Sequence, residues 1–316
     1  MPDKTSIVHD ILKHTAHMQQ PDRLAGGSWA AHIPFAFWLV EATRPRLLVE
    51  LGTFTGTSFC AFCQQVRRLG LDCMCYAVDS WEGDSQATFY DASVYDDLQA
   101  YVAEHYSYFA HLIREQFDNA LGLFRDGSID LLHIDGYHSC EAMLHDFETW
   151  LPKMSSQGVV LMHDINARIP GYGGVRAWEE ISARFPHFTF EHGYGLGVLL
   201  TGTDIPQELQ YLVQCQGKQP AGEEVRQHFM FLGTWHEAMQ RVLLERDDLR
   251  RQLAEEQQRH TESREAATRC IQDAQCRMNE LTKATEVMLS RYEKSLSWRV
   301  TKPLRSIANW VRKLRY

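Results

Sequence analysis

Four polar side chains in this 316-residue sequence stand at the ends of apolar runs, where open α/β folds place their ligands. Asp79 follows Met74–Val78, Asp135 follows Ile129–Ile134, and His163-Asp164 follows Val159–Met162. A further run, Leu47–Leu51, leads into Gly52-Thr-Phe-Thr-Gly56-Thr-Ser58. Gly52 and Gly56 permit a tight turn and a close ligand approach. The helix expected to begin there offers free N–H groups and a positive dipole end. The spacing matches neither the P-loop nor the G-x-G-x-x-G dinucleotide pattern. Asp79, 27 residues after Gly52, can take both hydroxyls of a ribose, so glycine loop and acid together suggest an adenosine-type ligand. Two carboxylates and an imidazole at Asp135, His163 and Asp164 suit a divalent cation, or a base with its orienting partner.

The elements that would hold these residues alternate regularly. Strands are expected at Leu47–Leu51, Met74–Val78, His111–Arg114, Ile129–Ile134 and Val159–Met162. Helical stretches fall near residues 5–19, 29–43, 58–69, 93–106, 118–124, 140–151 and 174–184. Continuous Leu/Val/Ile runs between helices read as parallel strands buried on both faces. Phe188–Phe190 and Leu196–Leu200 follow each other closely and must pair antiparallel. The predicted fold is a doubly wound, Rossmann-like α/β sheet of seven strands, five parallel plus a terminal hairpin.

At this point the sequence resembles the class I S-adenosylmethionine-dependent methyltransferases. It is most similar to the O-methyltransferase-like branch of bacterial secondary-metabolite and surface-glycan clusters. The carriers are Glu50-x-Gly52-x-x-x-Gly56-x-Ser58, Asp79, and His133-Ile-Asp135-Gly-Tyr-His138-Ser-Cys-Glu141. Asp146-Phe147, Trp150-Leu-Pro-Lys153 and Gly158–Asp164 follow in family order. The resemblance implies methyl transfer from S-adenosylmethionine, held by Glu50, Gly52, Thr53, Gly56, Ser58, Asp79, Ser80 and Asp135. It also implies a possible cation site at Asp135, His163 and Asp164, with magnesium the first candidate. His163 stands where some relatives place an acid, and a hard cation prefers oxygen ligands. The other expectation is therefore His163 or His138 as the base, with Asp135 beside it in the catalytic set. Tyr172, among Gly171, Gly173 and Gly174, is a candidate lid over the acceptor.

Composition bounds the rest. At 44% hydrophobic and 23% charged residues the chain is globular, and no apolar run reaches the ~18 residues of a membrane span. Met1–Lys4 lacks the signal-peptide pattern, which gives a cytoplasmic expectation with eight free thiols. Cys60-x-x-Cys63 with Cys73-x-Cys75 is read as buried small apolar residues in preference to a zinc knuckle. The net charge of −9 divides into −15 over residues 1–237 and +6 over residues 238–316.

Residues 239–292 contain no Pro or Gly and predict a long helix. A 3,4-spaced seam through Val242, Leu249, Leu253, Ile271, Met278, Leu281, Met288 and Tyr292 is polar at Glu256–Ser263. It suggests a coiled coil with a second copy. Ser295-Leu-Ser-Trp-Arg-Val-Thr-Lys-Pro-Leu-Arg305 resembles a motif at the ends of bacterial glycosyltransferases and glycan-modifying enzymes. The segment after Pro303 reads as a basic amphipathic helix suited to an anionic membrane surface or to glycan-assembly enzymes; nucleic acid is not expected. The expected divisions are N-terminal helices over 1–45, the catalytic domain over 46–201, a helical extension over 202–237, the coiled coil over 238–293 and the tail over 294–316. Methyl transfer to a sugar hydroxyl leads the functional readings. The alternatives are an iron-using hydroxylase-like relative on the same fold and a non-catalytic scaffold.

Overall fold

A computed structural model describes Val8, Ile11, Leu12, residues 15–86 and residues 88–313. Of the first expected helix, the remaining residues lie outside this set, as do tail residues 314–316. The chain divides into two compact units, Met1–Arg246 and Asp247–Tyr316.

The first unit is built on seven strands: β1 (Leu47–Leu51), β2 (Met74–Asp79), β3 (Ala110–Arg114), β4 (Ile129–Ile134), β5 (Met154–His163), β6 (His187–Phe190) and β7 (Leu196–Leu200). They lie in the order β3-β2-β1-β4-β5-β7-β6. The first five run parallel, and β7 pairs antiparallel with both β5 and β6. This is the predicted Rossmann-like sheet with its reversed end. Every residue of β4 is buried, as a central strand covered on both faces requires.

Alternate residues of each strand feed two cores. Leu48, Leu131, Leu161 and Val198 pack with α1 (Ile33–Thr43), α2 (Thr57–Leu69) and α3 (Ala92–His105). Val49, Leu132, Val160 and Leu199 pack on the opposite face. There they meet the short α4 (Phe117–Ala120), α5 (Cys140–Trp150) and α6 (Gly174–Ser182). The period of two along each strand thus distributes one sequence between two helical layers. Helix α1 ends at Arg44, which takes a left-handed conformation (φ 44°) immediately before Pro45. The Cys60, Cys63, Cys73 and Cys75 thiols are buried in the first core, and burial pushes the Cys60 thiol up to about 12. Buried neutral thiols are poor zinc ligands, in keeping with the apolar reading of this group.

Residues 201–237 are more ordered than a loose extension. They hold α7 (Gln207–Gln214) and the start of α8 (Ala221–Lys294). Gly222, Val225, Phe229, Gly233 and His236 form the buried stripe of α8 within the first unit. Gly233 is required there because a Cβ would strike the Ala31 carbonyl. The helix therefore begins well before the predicted residue 239. In the second unit α8 exposes Leu249, Leu253, Ile271, Met278, Leu281, Met288 and Tyr292. It is followed by α9 (Leu296–Lys313), which is amphipathic and has no buried residue. No helix among the described residues is long and apolar enough to cross a membrane.

Candidate active site

Strand order reverses between β1 and β4, and the carboxyl ends of these strands open the crevice expected at such a switch point. A cleft of about 470 Å³ lies there. Gly52, Thr53, Ser58, Asp79, Ser80, Asp135, His138, Asp164 and Tyr172 all line it. Of the residues assigned to the cofactor by sequence, Glu50 and Gly56 do not line it.

Both glycines of the loop adopt φ of 81°, and each is fixed by protein packing. A Cβ on Gly52 would run into the Asp135 backbone, and one on Gly56 into the Leu98 side chain. Gly52 lets β1 and β4 end side by side, with its N–H donating to the Val78 carbonyl at 2.9 Å. Gly56 starts α2. Gly52 lines the cleft and Gly56 does not.

Asp79 is the organising acid of the loop. Its Oδ2 accepts the backbone N–H of Thr53 at 2.8 Å and of Phe54 at 2.9 Å; its Oδ1 accepts that of Trp81 at 2.7 Å. Phe54 and Trp81 are both non-glycine residues with positive φ, 49° and 52°. The Trp81 indole N–H also donates to the Phe54 carbonyl at 2.9 Å. A single carboxylate thus holds two unfavourable backbone conformations at the mouth of the cleft.

Glu50 is fully buried in β1, directly beside His133 in the β1–β4 register. The Trp29 indole can only donate, so His133 Nε2 accepts from it at 3.0 Å. His133 Nδ1–H then donates to Glu50 Oε2 at 2.8 Å. Burial raises the Glu50 carboxyl above its ordinary value, and His133 partly offsets this. Glu50 thus stands beneath the loop with Oε2 bound to His133, and it does not line the cleft.

At the β4 and β5 ends, Asp135, His138 and Asp164 bring three ligand atoms within 4.8 Å of one another. His138 Nε2–H donates to Asp164 Oδ2 at 2.7 Å. Asp164 has φ of 58°, a left-handed position that turns its carboxylate toward the β4–α5 loop. His163 is 1% exposed, and both of its nitrogens are committed. Nε2–H donates to the Gly193 carbonyl at 3.0 Å, and Nδ1–H to Asp135 Oδ1 at 3.1 Å. Burial lowers its pKa, but Asp135 and Asp164 outweigh this and hold it at about 10. Asp135 is correspondingly held below the usual carboxylate range: burial opposes this, and His163 overcomes it. His163 is thus a buried cation with no lone pair to offer. The three converging ligand atoms come from Asp135, His138 and Asp164, with His163 behind them.

Sequence reasoning missed three parts of this site. The first is Gly26–Trp29, which lines the cleft. Thr55 Oγ1 and Thr57 Oγ1 fasten it by donating to the Gly26 carbonyl at 2.6 and 3.2 Å. The paired glycines were its one signal. The second is Gln86, whose Oε1 accepts the His138 N–H at 2.9 Å while its amide donates to the Gly171 carbonyl at 3.1 Å. The third is a group of carboxylates and aromatic rings at Glu82, Asp84, Tyr90 and Tyr137. Tyr172 meets His138 edge to face, ring centroids 4.7 Å apart, as a wall of the cleft.

The family described as a methyltransferase domain matches residues 49–165. An uncharacterised protein of Sinorhizobium fredii, y4gI, is 38% identical over 236 residues, covering 74% of this chain and 26% of its own length. The chain therefore spans about a quarter of that relative. Among solved structures, the O-methyltransferase TomG from Streptomyces achromogenes in complex with SAM is 16% identical. It has a TM-score of 0.41, with 62% of this chain and 90% of that one covered. The O-methyltransferase from Bacillus cereus in complex with SAH is 14% identical with a TM-score of 0.41, covering 63% and 93%. Residues 49–165, the stretch that matches the methyltransferase-domain family, lie within the seven-stranded, Rossmann-like sheet formed over residues 47–200.

Proposed function

We propose that this chain transfers a methyl group from S-adenosylmethionine to a hydroxyl oxygen, of a sugar in bacterial surface-glycan or secondary-metabolite biosynthesis. The observation that carries the reading is the Asp79-latched glycine loop facing the Asp135–His138–Asp164 cluster across one cleft. Asp79, Gly52, Thr53, Ser58 and Ser80 form the donor wall. After its three N–H bonds, Asp79 Oδ1 retains an acceptor position for a ribose hydroxyl.

The methyl group of a sulfonium is already activated, so the protein's work is alignment and removal of one proton. His138 is assigned the proton. Asp164 holds its Nε2–H, which leaves Nδ1 as the accepting nitrogen. Gln86 fixes the His138 backbone, and the buried His163 cation fixes Asp135. Glu82, Asp84 and the tyrosine rings suit a hydroxyl-rich acceptor, because carboxylates accept from hydroxyls and rings cover C–H faces.

A second reading rests on the same cluster. Two carboxylates and one imidazole within 4.8 Å fit a divalent cation, which would acidify an acceptor hydroxyl bound to it. Asp135, His138 and Asp164 are the residues that would hold it. The mixed oxygen and nitrogen donor set suits a borderline cation better than magnesium. The hydroxylase-like alternative would need iron on these same three groups.

The exposed seam of α8 supports pairing with a second copy, and the basic tail supports a peripheral location at an anionic surface or beside glycan-assembly enzymes. Methyl transfer is tested by incubating the protein with labelled S-adenosylmethionine and nucleotide-sugar or oligosaccharide acceptors. Label moving to an acceptor oxygen supports the reading. Label that reaches none of these acceptors in the presence of bound donor counts against the sugar.

A further inference from the structure

Helix α9 has its own solvent-facing design. Leu296, Val300, Leu304, Ile307 and Val311 recur at i, i+4, i+8, i+11 and i+15, a single helical stripe. They are exposed at 80, 72, 67, 59 and 45%. Trp310, 65% exposed, flanks the stripe. Between Lys294 and Lys313 there are six basic residues (Lys294, Arg299, Lys302, Arg305, Arg312 and Lys313) and no acid. By the same periodicity these fall outside the apolar stripe.

The other aromatic of this segment faces elsewhere. The Trp298 ring is covered by the Arg305 guanidinium, 3.2 Å from the ring centroid, and by Tyr292 at 4.5 Å. The Arg305 guanidinium also donates to the Trp298 carbonyl, and Ser295 Oγ accepts the Trp298 N–H at 3.3 Å. Trp298 is therefore occupied at the helix start. Its spacing from Leu296 and Val300 puts it on the basic side.

We propose that α9 lies on an anionic lipid surface, with Leu296, Val300, Leu304, Ile307 and Val311 immersed and Trp310 at the interface, while Trp298 and Arg305 form a clasp that shapes the helix start. This deepens the localisation reading of the tail and is independent of methyl transfer. The charge argues for lipid over a second copy: a helix carrying five cations and no acid repels its own duplicate, whereas an anionic bilayer attracts each cation. An apolar stripe with basic flanks meets the two requirements of interfacial binding.

The test is co-sedimentation of the full-length protein with vesicles of phosphatidylcholine, with and without phosphatidylglycerol. Binding is expected only to the anionic vesicles, and it weakens as salt rises. Ile307→Glu and Val300→Glu should each lower the bound fraction about tenfold or more, the effect of placing a charge in the immersed face. Paired Arg312→Ala and Lys313→Ala should weaken binding through charge alone, and Trp298→Phe should leave it within about twofold of wild type. S-adenosylhomocysteine binding on the same samples reports whether the catalytic unit is intact, so a failed donor site and a failed lipid site are distinguished. The proposal is overturned if the wild type ignores anionic vesicles, binds neutral ones equally, or loses no binding on Ile307→Glu. It is equally overturned if the tail retains RNA but no vesicles, or if Ile307→Glu dissolves an oligomer without affecting vesicle binding.

Discussion

Asp79 Oδ2 accepts the Thr53 backbone N–H at 2.8 Å, which ties the end of β2 to the loop after β1. The same carboxylate reaches Phe54 and Trp81, both held at positive φ. The glycine loop and the acid, two separate signals in the sequence, are thus one mechanical unit.

Asp79→Asn retains the side chain's volume but exchanges one acceptor oxygen for a donor facing the Trp81 or loop N–H groups. Hydrogen bonds to charged groups contribute about 1.5–3 kcal/mol each, so a loss of about 2 kcal/mol is expected. Thermal unfolding of the catalytic unit should fall by several degrees, and S-adenosylhomocysteine should bind at least tenfold more weakly. An unchanged affinity would remove Asp79 from the donor site.

The His138–Asp164 pair predicts a different pattern. His138→Gln and Asp164→Asn should each lower kcat by about 10²–10⁴-fold, the usual scale for a positioned base. Donor binding should stay within a few-fold. If the cluster instead holds a cation, metal content measured on purified protein will fall in both variants, and added metal will alter the rate. Loss of donor binding in either variant would remove the pair from the acceptor side.

Asp146 supplies a stability prediction. Burial raises its carboxyl to about 7, with His145 partly offsetting this and Asp118 adding to it. In the unfolded chain the group ionises near 3.9. Between these values the folded state binds a proton that the unfolded state has released, so stability falls as pH rises from about 4 to 7 and then levels. Three units correspond to about 4 kcal/mol as an upper figure. Asp146→Asn should therefore unfold at a higher temperature than wild type at pH 8 and at nearly the same temperature at pH 4. Equal stability of both at pH 8 would contradict the buried, uncompensated carboxylate.

His163 acts in the same pH direction, through stabilisation of its charged form. Its folded pKa of about 10 lies above the ordinary imidazole value, so the stability it contributes is fully present below about pH 6.5. That contribution declines as pH rises toward 10. His163→Gln should abolish this decline in thermal unfolding measured from pH 6.5 to 10. A variant with the wild-type slope would show that His163 is not the charged partner of Asp135.

The sheet was legible because its pattern is local. Uninterrupted apolar runs such as Leu131–Leu132 and Val159–Met162 reveal strands covered on both faces. Gly195–Leu200, close behind Phe188–Phe190, reveals the reversed end. The strand-end acids were legible for the same reason. The roles of the histidines were not, because they depend on partners distant in sequence. His163 is neutralised as a ligand by Asp135 and by the Gly193 carbonyl, 28 and 30 residues away. Glu50 carries a family motif, yet its Oε2 is bound to His133, 83 residues away. Gln86 carries no chemical signature and the Gly26–Trp29 segment only its paired glycines, so both acquire their place only when the loops converge.

The central claim is that the cleft between Asp79 and Asp164 binds an S-adenosyl donor. Titration calorimetry of the full-length protein with S-adenosylhomocysteine, with EDTA and again with added divalent cation, tests it directly. One site per chain is predicted under both conditions, since the donor wall contains none of the three candidate cation ligands, Asp135, His138 and Asp164. Absence of heat and of any thermal stabilisation by the ligand under either condition would contradict the account.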